Sequence, residues 1–140
     1  MLRRVLVALL LAWLCCITTG CGVAYTVKRN NLLKNATAAD YGPPPPANYT
    51  DTEKQMILRM LKDPDSAQYR DEIPPFRDII QKVMNPNPFL VWVTQVSVNA
   101  RTSAGGFAGF SAWMFAWQNG RVVAISSPPV GDYRTWDFLE

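Results

Sequence analysis

The feature that most constrains the fold is a nearly continuous β-forming stretch in the C-terminal part of the chain. Residues 89–98 (FLVWVTQVSV) and 107–117 (FAGFSAWMFAW) are rich in the β-branched and aromatic side chains that favour strands. Asn119-Gly120 separates the second segment from residues 121–126 (RVVAIS), and this dipeptide is typical of a tight type I′ hairpin turn. With residues 99–106 as a glycine-rich loop, the pattern predicts consecutive antiparallel strands.

The second of these predicted strands has two apolar faces. Alternation places the following residues on opposite sides: Phe107, Trp113, Phe115 and Trp117 on one, and Phe110, Ala112, Met114 and Ala116 on the other. Such a strand either lies in the middle of a sheet that is covered on both sides or has one face covered by another protein. Because one helix cannot easily cover both faces, we expect a protein partner or an oligomer to bury part of this surface.

One amphipathic helix is predicted before the strands. Residues 50–53 (TDTE) have the pattern of a capping box, in which Thr50 and Glu53 exchange hydrogen bonds at the helix start. The apolar residues that follow recur on one helical face: Met56, Ile57, Met60 and Leu61. Pro64 disfavours helical geometry at the residue before it, which predicts that the helix ends at Asp63 and that a short turn follows.

Residues 69–84 carry conflicting signals. Four apolar residues recur with helical spacing: Phe76, Ile79, Ile80 and Val83. Two prolines before them, Pro74 and Pro75, could open a helix. The stretch is short, however, and the turn cluster at residues 85–88 (NPNP) would equally join two strands. We interpret the segment as extended or irregular and leave a helix over residues 74–84 as the alternative.

Together these elements predict an α+β fold, with one N-terminal amphipathic helix packed on a small antiparallel sheet of three to four strands. The domain is expected to span residues 50–127. Residues 128–140 form an aromatic tail, which either docks on the sheet or binds a partner.

The chain begins with the pattern of an export signal. Arg3 and Arg4 precede an apolar run at residues 5–17, and small residues follow. The run is shorter than the roughly 20 residues that a membrane-spanning helix needs. Residues 1–20 are therefore predicted to be a signal peptide. Residues 21–49 are predicted to be a stem, whose four consecutive prolines would form a polyproline II spacer of about 12 Å; a ligand for an aromatic groove is the alternative.

Cys21 is the predicted lipidation site, because it follows small residues whereas Cys15 and Cys16 lie inside the apolar run. Gly20 and Cys21 resemble the bacterial lipobox, from which Thr18 departs. The resemblance implies three acyl chains on this cysteine. Gly22 in place of aspartate implies sorting to the outer membrane, with the domain facing the periplasm. The alternative is an ordinary secretory signal or an uncleaved anchor with an incidental cysteine.

Composition excludes most catalytic chemistry. The sequence has no histidine, which rules out a Ser-His-Asp triad and a histidine-containing metal site. Loss of Arg3 and Arg4 with the signal peptide lowers the net charge from +3 to +1, which leaves no electrostatic footprint for nucleic acid. We therefore predict no enzyme, cofactor or metal. An enzyme would have to depend on carboxylate pairs: Asp63 with Asp65, or Asp71 with Glu72.

Two motifs support the domain prediction. Residues 61–70 (LKDPDSAQYR) and 98–110 (VNARTSAGGFAGF) resemble, in this order and spacing, the patterns LKDPxSAxFR and VNAKNSYGGYxGF of a widespread group of small exported proteins from Gram-negative bacteria. The resemblance covers roughly residues 41–123 and implies the fold above, but no activity. The second motif departs from the pattern at three loop positions, Arg101, Thr102 and Ala104. It keeps the glycines of the pattern, Gly105, Gly106 and Gly109. This indicates that backbone geometry matters more there than side-chain chemistry.

The leading functional hypothesis is a non-catalytic outer-membrane lipoprotein that presents an interaction domain as an accessory subunit of an envelope complex. Secretion or conjugation machinery of the type IV kind is one such setting, by analogy alone. The alternative is a periplasmic inhibitor or ligand-binding module acting on a cell-wall enzyme. The predicted partner-binding residues are Asn99, Arg101, Gly105, Gly106, Phe107, Phe110, Trp113, Trp117 and Trp136.

Overall fold

The computed structural model describes residues 29–81, 88–126 and 136–139. The signal peptide, Cys21 and most of the C-terminal tail lie outside the described residues. The chain divides into two compact units, Met1–Ala36 and Thr37–Glu140. In the first unit, residues 29–35 are helical. The second unit contains the domain, which begins at Thr37 rather than at the expected residue 50.

The second unit is an α+β fold in which, among the described residues, one α-helix precedes an antiparallel sheet. Helix α1 is Tyr49–Met60, and short 3-10 turns occupy Ala38–Tyr41 and Pro64–Ser66. The strands are β1 (Gln68–Ile80), β2 (Phe89–Asn99), β3 (Ser111–Gln118), β4 (Arg121–Ser126) and β5 (Asp137–Phe138). They form one five-stranded sheet in the order β1-β2-β3-β4-β5, which is larger than the predicted three to four strands.

Strand β1 confirms the extended interpretation of the conflicting segment over Gln68–Ile80. It pairs with β2 from Gln68 opposite Asn99 to Ile80 opposite Phe89. Two register irregularities, between Arg70 and Ile73 and again before Phe76, interrupt the pairing. A bulge adds a residue and shifts the alternation of faces, which is why the sequence shows no regular period of two here.

Strand β3 is shorter than predicted. It begins at Ser111, so that residues 107–110 belong to the preceding loop, where Phe107 makes only an isolated bridge to Arg101. The hairpin that joins β3 to β4 is as predicted, since Asn119 and Gly120 both have positive φ, 52° and 73°, as a type I′ turn requires.

Both faces of the sheet are buried within the chain. The first cluster lies under α1 and contains Ile57, Val96, Val98, Phe115, Trp117 and Ile125. The second lies on the opposite face and contains Ile80, Val91, Val93, Met114, Ala116 and Ala124, with Phe89, Val123, Trp136 and Phe138 packed against it. The middle strand β3 therefore has buried side chains on both of its faces.

Helix α1 differs from its prediction at both ends. It begins at Tyr49 with Asn48 as the N-cap residue, so the predicted capping box is wrong. The Glu53 side chain is 1% exposed. Because it is buried in the core, it does not reach back to the helix start. The helix ends at Met60 because Leu61 takes up extended geometry, and Leu61 packs against the first cluster.

Residues 37–45, which we call the strap, fold onto the sheet instead of forming an extended spacer. Tyr41 is 4% exposed, and its ring meets Trp92 edge-on at 6.3 Å between centroids. The Trp92 indole Nε1 donates a hydrogen bond of 3.1 Å to the Gly42 carbonyl oxygen. A Cβ atom on Gly42 would lie 2.8 Å from Asn119 Oδ1, so the strap also touches the β3–β4 turn. The predicted stem is thus part of the domain from Thr37 onward.

Candidate functional site

The two sequence motifs meet at one end of the sheet. The first motif, residues 61–70, links α1 to β1, and the second, residues 98–110, links β2 to β3. Antiparallel pairing sets Gln68 opposite Asn99 and Tyr69 opposite Val98. The folded chain therefore joins, in one place, residues that are about 35 positions apart in the sequence.

Side-chain hydrogen bonds fix the second motif to the first. Asn99 lies at the centre, because its Nδ2 donates to Gln68 Oε1 at 3.2 Å and its Oδ1 accepts from the Gly109 amide at 2.9 Å. The Arg101 amide donates to Ser66 Oγ at 2.8 Å, and that hydroxyl donates to the Asp63 carbonyl oxygen at the same distance. Asn99 is thus a positioning residue, buried to 9% exposure, and not part of the outer surface.

The loop that these bonds hold, residues 100–110, has its own internal structure. The Thr102 amide donates to the Gly106 carbonyl oxygen at 2.8 Å, and the Gly105 amide donates to the Thr102 carbonyl oxygen at 2.9 Å. Gly105 and Gly109 have φ values of 84° and 90°, a backbone region that favours glycine. These two glycines therefore meet a local requirement of the backbone. Gly106 has no such φ.

Two phenylalanines on the loop face outward, each beneath an arginine. Phe107 is 48% exposed and Phe110 is 36% exposed. The guanidinium carbon of Arg70 lies 3.8 Å from the centroid of the Phe110 ring, and that of Arg101 lies 5.4 Å from the centroid of Phe107. The positive charge of each guanidinium group is attracted by the face of the aromatic ring. We call these four residues the Arg–Phe surface.

Two shallow clefts adjoin this surface and share Arg101. One has a volume of about 240 Å³ and lies between the end of α1 and the loop. Its lining is Met60, Leu61, Lys62, Val98, Ala100, Arg101, Thr102, Ala108, Gly109, Ser111 and Trp113. The other has a volume of about 330 Å³ and is more polar. Its lining is Asp63, Asp65, Ser66, Ala67, Gln68, Arg101 and Phe107.

The predicted partner-binding residues separate into exposed and buried groups. Arg101, Gly105, Gly106, Phe107 and Phe110 are exposed on the loop. Trp117 is 2% exposed in the first core cluster, and Trp113 and Trp136 are half-buried against the two clusters. The parity that grouped Phe107 with the tryptophans was wrong, because β3 begins only after the loop.

A buried polar cluster beneath α1 was missed by sequence reasoning. The Glu53 carboxylate oxygen Oε1 accepts hydrogen bonds from the Thr94 hydroxyl and, at 3.2 Å, from the Trp117 indole Nε1. The indole also lies 3.0 Å from Thr94 Oγ1. Burial raises the pKa of Glu53, and the two hydrogen bonds oppose this increase. Only the presence of a glutamate on the apolar face of α1 signalled this cluster.

Three of the carboxylates proposed for an enzyme alternative, Asp63, Asp65 and Glu72, are not buried as Glu53 is. Asp63 and Asp65 line the open polar cleft, and Glu72 forms an ion pair with Lys54 at 2.6 Å. Within the part of the chain that the structure describes, no three potential metal-ligating side chains cluster together. None of the helices in that part has the length and apolar character needed to cross a membrane.

No family model, curated protein or solved structure matches this chain.

Proposed function

We propose that the protein is a non-catalytic lipoprotein, anchored to the outer membrane through Cys21, whose periplasmic domain binds a protein partner of the cell envelope through the Arg–Phe surface. The observation that carries this proposal is the exposure of Phe107 and Phe110 under Arg101 and Arg70 on a loop fixed by hydrogen bonds. The resemblance of the two motifs to small exported proteins of Gram-negative bacteria belongs to the same proposal.

The energetics of the loop favour a binding role. Full burial of a phenylalanine side chain stabilises a protein by about 1.5–3 kcal/mol, and the domain leaves much of this unrealised at two neighbouring positions. Arginine and aromatic residues are enriched at the centres of protein interfaces. Because the loop is already held by Asn99 and Ser66, binding would cost little additional conformational entropy.

The charge around the loop favours a protein over an anionic membrane. Phe107 shares its cleft with Asp63 and Asp65 as well as with Arg101. An anionic lipid surface attracts clusters of lysine and arginine and repels carboxylates. A surface with both signs of charge fits the mixed charge of a protein partner.

The strap and the Arg–Phe surface lie toward opposite ends of β3. The strap touches Asn119, in the turn at the end of β3, whereas the loop enters β3 at Ser111. These ends of the strand are about 23 Å apart at 3.3 Å per residue. The strap therefore contacts the domain near one end of β3, and the Arg–Phe surface lies near the other.

Cross-linking in intact envelopes tests the proposal. The full-length tagged protein is purified after cross-linking and compared with the Phe107→Ala/Phe110→Ala variant. The matched control is Ile73→Ala/Phe76→Ala, which removes two side chains of β1 that are similarly exposed, 40% and 36%. We expect recovery of the partner to fall at least tenfold in the loop variant alone. Equal recovery from the loop variant would refute the proposal.

The inhibitor or ligand-binding alternative uses the same loop and is favoured by the clefts beside it. It differs in its dependence on the anchor. Cys21→Ser, exported in soluble form, would keep full activity as an inhibitor, whereas an envelope accessory subunit would lose its assembly.

A further inference from the structure

The cleft at the end of α1 is small and largely apolar. Its floor and walls come from Met60, Leu61, Val98, Ala108 and Trp113, among others. Its volume, about 240 Å³, is below the roughly 300–1,000 Å³ typical of sites for small-molecule ligands. It has the size and lining for an apolar side chain.

Two cations lie on the lining of the same cleft, Lys62 and Arg101. Neither forms an ion pair with any carboxylate of residues 29–81, 88–126 or 136–139. Two sources of negative charge oppose these cations. One is the C-terminal end of α1 at Met60, equivalent to about half a negative charge. The other is the pair Asp63 and Asp65, which line the neighbouring cleft. Two full positive charges outweigh the helix end within the cleft itself.

We infer that this cleft binds an apolar side chain of the partner that lies directly beside a carboxylate, with the side chain against Trp113 and the carboxylate at Arg101. The inference rests on the proposed function and names the chemistry that the partner presents. A guanidinium is suited to such an anion because its donors form paired hydrogen bonds with the two carboxylate oxygens. Trp113, half-buried in the core cluster, then contributes its exposed edge to binding.

N-acetyl-leucine is the simplest probe, since it has one apolar side chain beside one carboxylate. It is titrated into the full-length protein in detergent micelles while the indole N–H resonance of Trp113 is followed by NMR. The matched probes are N-acetyl-leucinamide, which lacks the carboxylate, and N-acetylglycine, which lacks the apolar side chain. We expect N-acetyl-leucine to bind about fivefold to tenfold more tightly than either. Equal shifts with all three probes, or no shift, would overturn the inference.

Arg101→Gln tests the assigned cation, with Arg121→Gln as the control because Arg121 is an exposed arginine of β4 that does not line this cleft. We expect Arg101→Gln to remove the preference for N-acetyl-leucine over its amide and Arg121→Gln to keep it. Loss of the preference in both variants would contradict the assignment.

The two proposals fail in different ways. If N-acetyl-leucine does not bind while recovery of the partner still depends on Phe107 and Phe110, the cleft assignment is wrong and the proposed function stands. If N-acetyl-leucine binds with the expected preference while the partner is recovered without those phenylalanines, the cleft is supported and the Arg–Phe surface is refuted.

Discussion

Glu53 shows how the environment of a single residue departs from its sequence signal. Three residues after a threonine, it has the position of a capping glutamate, yet its carboxylate is buried against Thr94 and Trp117. Those partners are 41 and 64 positions away in the chain, so no local pattern contains them. The Asn119-Gly120 turn, by contrast, was predictable because the need for positive φ is local to the two residues.

The raised pKa of Glu53 predicts a specific pH dependence of stability. Because burial raises the pKa in the folded state above its unfolded value, the stabilisation is complete below the ordinary glutamate range and is lost as the pH rises through the folded pKa. The free energy of unfolding should therefore fall between acidic and neutral pH. In Glu53→Gln, whose amide oxygen still accepts both hydrogen bonds, this fall should disappear and the protein should be more stable at neutral pH.

Urea denaturation across this pH range measures the effect, with Asp65→Asn as the control because Asp65 is an exposed carboxylate that does not act on the pKa of Glu53. An unchanged pH slope in Glu53→Gln would show that the carboxyl does not titrate with folding.

The Asn99 side chain links the two motifs through two hydrogen bonds, and different substitutions can remove them separately. Asn99→Ala removes both hydrogen bonds and should lower stability by about 1–3 kcal/mol. Asn99→Asp keeps the acceptor for the Gly109 amide and loses the donor to Gln68. We expect hydrogen exchange at the Gly109 amide to become much faster in Asn99→Ala than in Asn99→Asp. Equal exchange in both variants would mean that Asn99 does not hold the loop.

At the scale of elements, the sequence predicted well where one rule dominated. Strand β2 was predicted to within one residue of its end, since its β-branched and aromatic residues alternate without interruption. Strand β1 was ambiguous because bulges shift its alternation and Pro74 and Pro75 resemble a helix start. Prolines suit this position, because β1 lies at the edge of the described sheet and its pairing with β2 is interrupted between Ile73 and Phe76. Prolines at an edge also discourage pairing with other chains.

The start of β3 and the strap were mispredicted for different reasons. The aromatic residues 107–110 have strand propensity, but the left-handed backbone at Gly109 and its bond to Asn99 turn them into a loop. The strap has the composition of a linker, and only the distant Trp92 gives Tyr41 a place to pack.

The strap yields a prediction about stability. Tyr41→Ala removes a ring that is packed against Trp92 and lies beneath Arg77, and it should cost roughly 3 kcal/mol or more. Tyr41→Phe keeps the ring and should cost less than about 1 kcal/mol, because no packing is lost. Chemical denaturation of the full-length variants measures both values. A stability of Tyr41→Ala close to that of the wild type would mean that residues 37–45 are a tether and not part of the fold.

At the scale of the whole molecule, the α+β class followed from the sequence, whereas the number of strands and the domain boundary did not. Local patterns gave one helix and the three strands of residues 89–126. The added β1 and β5 and the docked strap depend on packing between distant segments. The same packing buries Trp117 and leaves Phe107 and Phe110 exposed on the loop, which moves the candidate interface from the sheet to its edge.

The tether and the surface then form a simple arrangement. In the proposed function, the lipid at Cys21 tethers the protein to the membrane. The strap contacts the β3–β4 turn, and the Arg–Phe surface lies at the other end of β3. The envelope partner is therefore expected to contact the end of the domain opposite the strap.

Site-specific photo-cross-linking in living cells tests this claim most directly. A photoreactive phenylalanine analogue is placed at Phe107 of the full-length protein, and in a matched strain at Gln55, which is exposed on α1. We expect a discrete cross-linked product from position 107 that is absent from position 55 and disappears with Arg101→Gln. Products of equal yield from both positions, or a product from position 55 alone, would contradict it.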